Sequence, residues 1–130
     1  MSGFTMPAHG DFCWNELTTT DVAAAKRFYS ELLGWQFKES QFGEETYTEI
    51  LIGGKAVGGM YRPGPECNAE TRWMSYVAVE DVDAAAARVE GLGGKVCVPP
   101  TDIPTVGRFS VVSDPSGATI SLITLSGMNS

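Results

Sequence analysis

The sequence predicts an α+β fold made of two tandem βαβββ modules, and three observations carry that prediction. Moving the chain along itself by 60 residues lays Asp21-Val22 on Asp81-Val82, Ala24-Ala25 on Ala84-Ala85, Leu32 on Leu92 and Gly34 on Gly94. Each copy then reads in the same order: apolar strand, acidic helix cap, Ala-rich helix, glycine stop. Each is followed by a short strand and a hairpin. A repeat of this length exceeds a solenoid unit, so it predicts two copies of one small module rather than an array. Two such copies packed about a pseudo-twofold axis would turn equivalent sheet faces toward each other, and the space between them is the expected place of function.

The elements follow from local pattern. Phe12 to Leu17 is the first strand, and Thr20 or Asp21 caps the helix after it. Val22, Ala25, Phe28, Tyr29, Leu32 and Leu33 recur at helical spacing and predict one stripe facing a sheet. Gly34 ends the helix, Trp35 to Lys38 is a strand, and Gln41 to Glu45 is a polar turn. Tyr47–Ile52 and Ala56–Tyr61 form a hairpin about Gly53-Gly54. In the second module, a strand runs from Arg72 to Val79, Asp81 caps a helix reaching Leu92, and Gly93-Gly94 stop it. Lys95 to Val98 is a strand, Pro99-Pro100 open an irregular loop to Gly107, and Arg108–Ser113 pairs with Ala118–Thr124 across the Asp114-Pro115-Ser116-Gly117 turn. The domain reading is a flexible N-terminal tail over 1–10 and a single domain over 11–130. That domain divides into module one at 11–61, a Pro/Gly linker at 62–71 and module two at 72–125.

Composition excludes several classes. The chain has 130 residues, 43% hydrophobic and 19% charged, enough for one core. No apolar run reaches the roughly 18 residues of a membrane span, and the first ten residues lack the basic and apolar regions of a secretory leader. Three cysteines, Cys13, Cys67 and Cys97, form no CxxC pair and point to a reducing, cytoplasmic setting. Cys13 and Cys97 are expected in the core. The net charge of −7, with nine scattered basic residues, argues against nucleic acid as a partner. The serines lack a histidine partner, because the single histidine is His9, in the expected tail.

Strand parity selects candidate site residues. Val77 and Val79 form the aliphatic face beneath the second helix, so Met74 and Tyr76 point to the opposite face. The 60-residue offset places Trp14 and Glu16 at the matching positions of module one, and an offset of 62 in the hairpins pairs Tyr47 with Phe109 and Gly59 with Ser121. Trp35 and Trp73 have the parity for packing under helices.

Asp21, Phe28-Tyr29, Leu33-Gly34-Trp35 and the downstream Asp114-Pro115-Ser116-Gly117 resemble the vicinal oxygen chelate superfamily, over about residues 10 to 125. That group includes glyoxalase I, bleomycin-resistance proteins, fosfomycin-resistance enzymes and extradiol dioxygenases. The resemblance implies the glyoxalase-like fold, curved mixed sheets around a concave cavity, and frequent assembly as a homodimer. It also implies metal-ligand places at Trp14, Met74, Gly59 (give or take one) and Ser121. None of these is His, Glu, Asp or Cys, so no metal and no cofactor is expected. A relocated oxygen site using Glu16 or Glu49, or His9 folding back, is the remaining route to one.

The expected ligand-binding set is Trp14, Glu16, Tyr47, Met60, Met74, Tyr76, Phe109 and Ser121. It is either an aromatic-walled small-molecule pocket or ordinary packing between the sheets. Glu16 either pairs with Arg72 or Arg108, or binds a cationic or hydrogen-bond-donating ligand, or acts as a base. No residue has an assigned catalytic role. The leading reading is a metal-free protein that sequesters an aromatic or cationic natural product such as an antibiotic, as bleomycin-resistance proteins do. The partners expected are a small molecule and a second copy of the chain, with neither nucleic acid nor membrane. The alternatives are a glyoxalase-, dioxygenase- or isomerase-like enzyme and a dimerising module without a ligand.

Overall fold

A computed structural model describes residues 6–42, 45–62, 71–103 and 106–127. The fold is α+β, with strands β1 (Phe12–Thr18), β2 (Gln36–Phe42), β3 (Glu45–Ile52), β4 (Lys55–Tyr61), β5 (Arg72–Ala78), β6 (Lys95–Ile103), β7 (Gly107–Ser113) and β8 (Thr119–Leu125). The helices are α1 (Val22–Leu33) and α2 (Val82–Val89), the latter continued by a 3-10 turn over Glu90–Leu92. The chain divides into two compact units, Trp14–Met74 and Met1–Cys13 with Ser75–Ser130.

Both units repeat one topology. In the first, the strand order is β2-β3-β4-β1, with β1 parallel to β4 and the other pairs antiparallel. In the second it is β5-β8-β7-β6, with β5 parallel to β8. The punctuation repeats with it. The Asp21 carboxylate accepts from the Ala24 N–H at 3.0 Å, and that of Asp81 from the Ala84 N–H at 3.1 Å. Each helical segment stops at a left-handed glycine, Gly34 at φ 74° and Gly93 at φ 93°.

The core of the Trp14–Met74 unit is Leu17, Ile50 and Met60, with Val22, Ala25, Tyr29, Trp35 and Phe37 packed against it. In the other unit Val82 and Ala86 of α2 are buried, as are Val111, Val112 and Ile123. There Thr124 ties helix to sheet. Its hydroxyl accepts from the Val82 N–H at 2.8 Å and donates to the Val79 carbonyl at 2.9 Å.

Several expectations are corrected. Pro99 and Pro100 lie inside β6 rather than in a loop. The register shifts between Val98 and Thr101, a bulge at the prolines, and β6 ends its unit's strand order, where a missing N–H is tolerated. Alternation on this outer strand also leaves Cys97 exposed, although Cys13 is half-buried and burial pushes its thiol up, with the Asp11 charge adding to the effect. β2 extends to Phe42 and pairs with β3 as far as Glu45, so most of the expected polar turn is ladder. Residues 8–10, expected in a loose tail, form a turn. The Gly10 N–H donates to the Ala78 carbonyl at 2.7 Å, and His9 Nδ1 accepts from the Glu80 N–H at 3.0 Å. Trp73 is 40% exposed rather than core, edge-on to Tyr29 and Trp35. The linker residues 63–70, with Cys67, lie outside the described residues.

The Thr124 bridge gives a direct test. Val79 and Val82 are buried, so Thr124→Val leaves a donor and an acceptor unmet at nearly constant volume. Urea unfolding of this variant is expected to show a loss of about 1–3 kcal/mol.

Candidate functional site

The Trp14–Met74 unit builds a polar constellation on the sheet face opposite its core. Register explains how it forms. Glu16 of β1 lies opposite Gly59 of β4, and Gly59 lies opposite Glu49 of β3. Side chains alternate along a strand, so Trp14 shares the face of Glu16, and Tyr47 shares the face of Glu49. Gly59 sits between them and carries no side chain. A Cβ there would run into the Tyr47 hydroxyl and ring, so the glycine is the floor on which the phenol lies.

Across that floor the three groups join. The Trp14 indole Nε1–H donates to Tyr47 Oη at 2.9 Å, and the Tyr47 hydroxyl donates to Glu16 Oε2 at 2.9 Å. All three side chains are half-buried. An indole N–H only donates and an ionised carboxylate only accepts, so the single phenol proton must go to Glu16. Tyr61 continues the wall: its ring lies 6.2 Å from that of Tyr47 at an interplanar angle of 31°. Sequence reasoning missed Tyr61, although its signal was available, because it stands two residues from Gly59 on the same strand.

The remaining expected site residues are placed as follows. Met60 is fully buried beside Leu17 and Ile50, under α1. It neighbours Gly59 on one strand, so it faces the other way, and it leaves the site. Met74 is half-buried and alternates with Trp73 on β5. Tyr76, Phe109 and Ser121 belong to the other unit. Tyr76 and Ser121 are register partners on β5 and β8, and both are buried. Ser121 has no exposed surface, and its hydroxyl is without a hydrogen-bond partner among the described residues. Phe109, two residues from Ser121's β7 partner Val111, is half-buried. Arg108 does not serve Glu16 in this arrangement; its guanidinium donates to Asp83 at 2.9 and 3.1 Å and to Asp102 at 3.0 Å.

The places that the resemblance implies for metal ligands carry no strong hard donor, each taken by itself. An indole nitrogen that keeps its proton, a thioether and a glycine offer no strong hard ligand, and a buried neutral hydroxyl offers a weak one. Among the described residues no group of three or more His, Cys, Asp or Glu side chains is placed to hold a metal. His9 Nδ1 is taken by the Glu80 N–H.

Residues 12–122 match the model of the Glyoxalase/Bleomycin resistance protein/Dioxygenase superfamily. The chain is 38% identical over 113 residues to the candidate glyoxylase CFP32 of Mycobacterium tuberculosis, covering 84% of this chain and 43% of that protein. It is 35% identical over 125 residues to the anthracycline biosynthesis protein DnrV of Streptomyces peucetius, covering 85% and 46% respectively. The chain thus spans less than half the length of the curated relatives it matches. Among solved structures, the methylmalonyl-CoA epimerase of Mycobacterium tuberculosis superposes with a TM-score of 0.64 at 14% identity, covering 96% of this chain and 94% of that one. A hypothetical protein from Bacillus halodurans superposes at 0.67 with 10% identity, covering 88% and 94%.

The hydrogen-bond chain can be read directly. Three indole N–H resonances are expected in a proton–nitrogen spectrum, one per tryptophan. Tyr47→Phe removes the acceptor and Gly59→Ala pushes the phenol away, so both are expected to move the same single resonance, that of Trp14. Tyr61→Phe, which leaves the chain intact, is expected to move it least.

Proposed function

Since the chain belongs to the glyoxalase/bleomycin resistance protein/dioxygenase superfamily, we propose that the Trp14–Tyr47–Glu16 face holds a small organic molecule and sequesters it without a metal. The observation that supports this best is the hydrogen-bonded chain itself. It fixes an indole and a phenol in place, beside a carboxylate, on a sheet face that the unit's own hydrophobic core does not use. Fixed aromatic surface with few, directed polar groups suits a flat ligand with a cationic or hydrogen-bond-donating substituent. The relatives named for anthracycline biosynthesis favour a polycyclic natural product as that ligand. Assembly as a homodimer in the cytoplasm belongs to the same reading.

A second reading is an enzyme of glyoxalase type, favoured by the name of the mycobacterial relative. Glu16 would then act as the base on a small oxygenated substrate, with Tyr47 holding the carboxylate in position. The two readings differ in turnover: sequestration leaves the ligand unchanged on recovery, whereas the enzyme alters it.

The test is a titration of anthracycline-type polycycles, with and without an amine, followed by thermal shift. Trp14→Ala is expected to weaken binding several-fold or more while the protein stays folded. Glu16→Gln is expected to weaken binding of the amine-bearing compounds only. If Trp14 is packing instead, Trp14→Ala loses about 3–5 kcal/mol of stability and its folded fraction binds normally, which ends the sequestration reading.

Elemental analysis of protein purified without chelator is expected to find no stoichiometric zinc, nickel, manganese or iron. One such ion per chain, lost in Glu16→Gln or Glu49→Gln, would overturn the metal-free part of the proposal.

A further inference from the structure

The Tyr47 side chain occupies a slot with the polarity of a ligand site. Gly59 lies between Glu16 of β1 and Glu49 of β3 in the register of the sheet. A Cβ at Gly59 would meet the hydroxyl, Cζ and Cε2 of Tyr47, so the phenol fills the space that a side chain would take there. Trp14 meets it at the hydroxyl end, and the Tyr61 ring lies 6.2 Å from its own. The polar end of the slot makes a narrow demand. The hydroxyl accepts from the Trp14 Nε1–H at 2.9 Å and donates to Glu16 Oε2 at 2.9 Å. An indole N–H only donates and an ionised carboxylate only accepts, so the atom between them must do both. A hydroxyl does. An ammonium has no lone pair for the indole, and an ether or carbonyl has no proton for the carboxylate.

Tyr47 is also placed to leave. It is half-buried, so its ring borders solvent. Tyrosine on a strand has two common staggered positions about its first side-chain bond. Turning out releases the two hydrogen bonds and opens a slot of phenol size, and Gly59 has no side chain to refill it.

We infer that Tyr47 is a displaceable plug, and that the ligand is a flat hydroxyaryl molecule whose own hydroxyl replaces that of Tyr47 between Trp14 and Glu16. This rests on the reading that the face holds a small organic molecule. It narrows the class of that molecule and makes Tyr47 a resident competitor, with Trp14 and Tyr61 as the walls that remain. Only the open state binds, so the apparent affinity falls with the open fraction: a slot open about a tenth of the time binds about tenfold more weakly than an empty one. Removing a plug therefore tightens binding, whereas removing a wall weakens it.

The experiment is a titration with naphthol, followed by calorimetry and by the indole N–H resonance of Trp14. The methyl ether of naphthol is the control that keeps the rings and loses the proton. Tyr47→Ala is expected to bind naphthol about tenfold or more tightly than the wild type, and the ether no more tightly than the wild type does. Saturating Tyr47→Ala with naphthol is expected to return the Trp14 resonance toward its wild-type position, because a hydroxyl again accepts from the indole. Tyr47→Phe keeps the ring and loses both hydrogen bonds, so it is expected to bind naphthol more tightly too, and it decides the matter if Tyr47→Ala fails to fold. If both variants bind naphthol no better than the wild type, Tyr47 is a wall and the plug is overturned, while sequestration stands. If amine-bearing polycycles bind and naphthol binds none of the three proteins, the hydroxyaryl class is overturned and sequestration again stands. If neither kind of compound binds any of them, both fall.

Discussion

Because Gly59 has no side chain, the Tyr47 phenol can lie across β4 and reach β1, where it finds Trp14 on one side and Glu16 on the other. Any other residue at that position would hold the phenol off the sheet, and the indole N–H and the carboxylate would have to find other partners. Half-buried polar groups are costly when unpaired. The arrangement therefore stands or falls as a unit: glycine makes room, tyrosine bridges, and two residues on one strand, spaced by two, receive the bridge.

The scaffold that holds this unit is set by repetition. In both halves an aspartate caps the helix, a left-handed glycine ends it, and the first strand lies parallel to the last. Each helix covers one face of its four strands, so each unit completes its own core on that side. This is why Met60 and Trp14, close in the sheet, have opposite fates. Met60 shares the helix side with Leu17 and Ile50, and Trp14 shares the other with Glu16.

Much of this was legible in the sequence because the signals are local. The caps, the glycine stops, the hairpin at Gly53-Gly54 and the Asp114–Gly117 turn all rest on residues with strong individual preferences. Strand parity at Met74 and Tyr76, carried across by the 60-residue repeat, points to Trp14 and Glu16, and the 62-residue offset of the hairpins points to Tyr47. What escaped notice depends on neighbours across the sheet. Proline in β6 reads as a loop until the strand is found to be the outer one, with a bulge to absorb it. Met60 reads as a neighbour of the site in the sequence because it adjoins Gly59 on β4, but one residue reverses the face. The role of Gly59 was invisible for a similar reason: it is fixed by the length of a tyrosine on the adjacent strand.

The chemistry of the site follows from the direction of its hydrogen bonds. The phenol receives one from Trp14 and gives its only proton to Glu16, so polarity runs one way, toward the carboxylate. A metal-dependent site brings a cation to its substrate. In the proposed reading the order is inverted. The protein supplies the negative end, and a ligand must bring the positive charge or the donor. A neutral hydroxyl between indole and carboxylate also cannot polarise a carbonyl as a divalent ion does. In the enzyme reading Glu16 accepts the proton, and the aromatic walls decide which substrates come close enough to lose one.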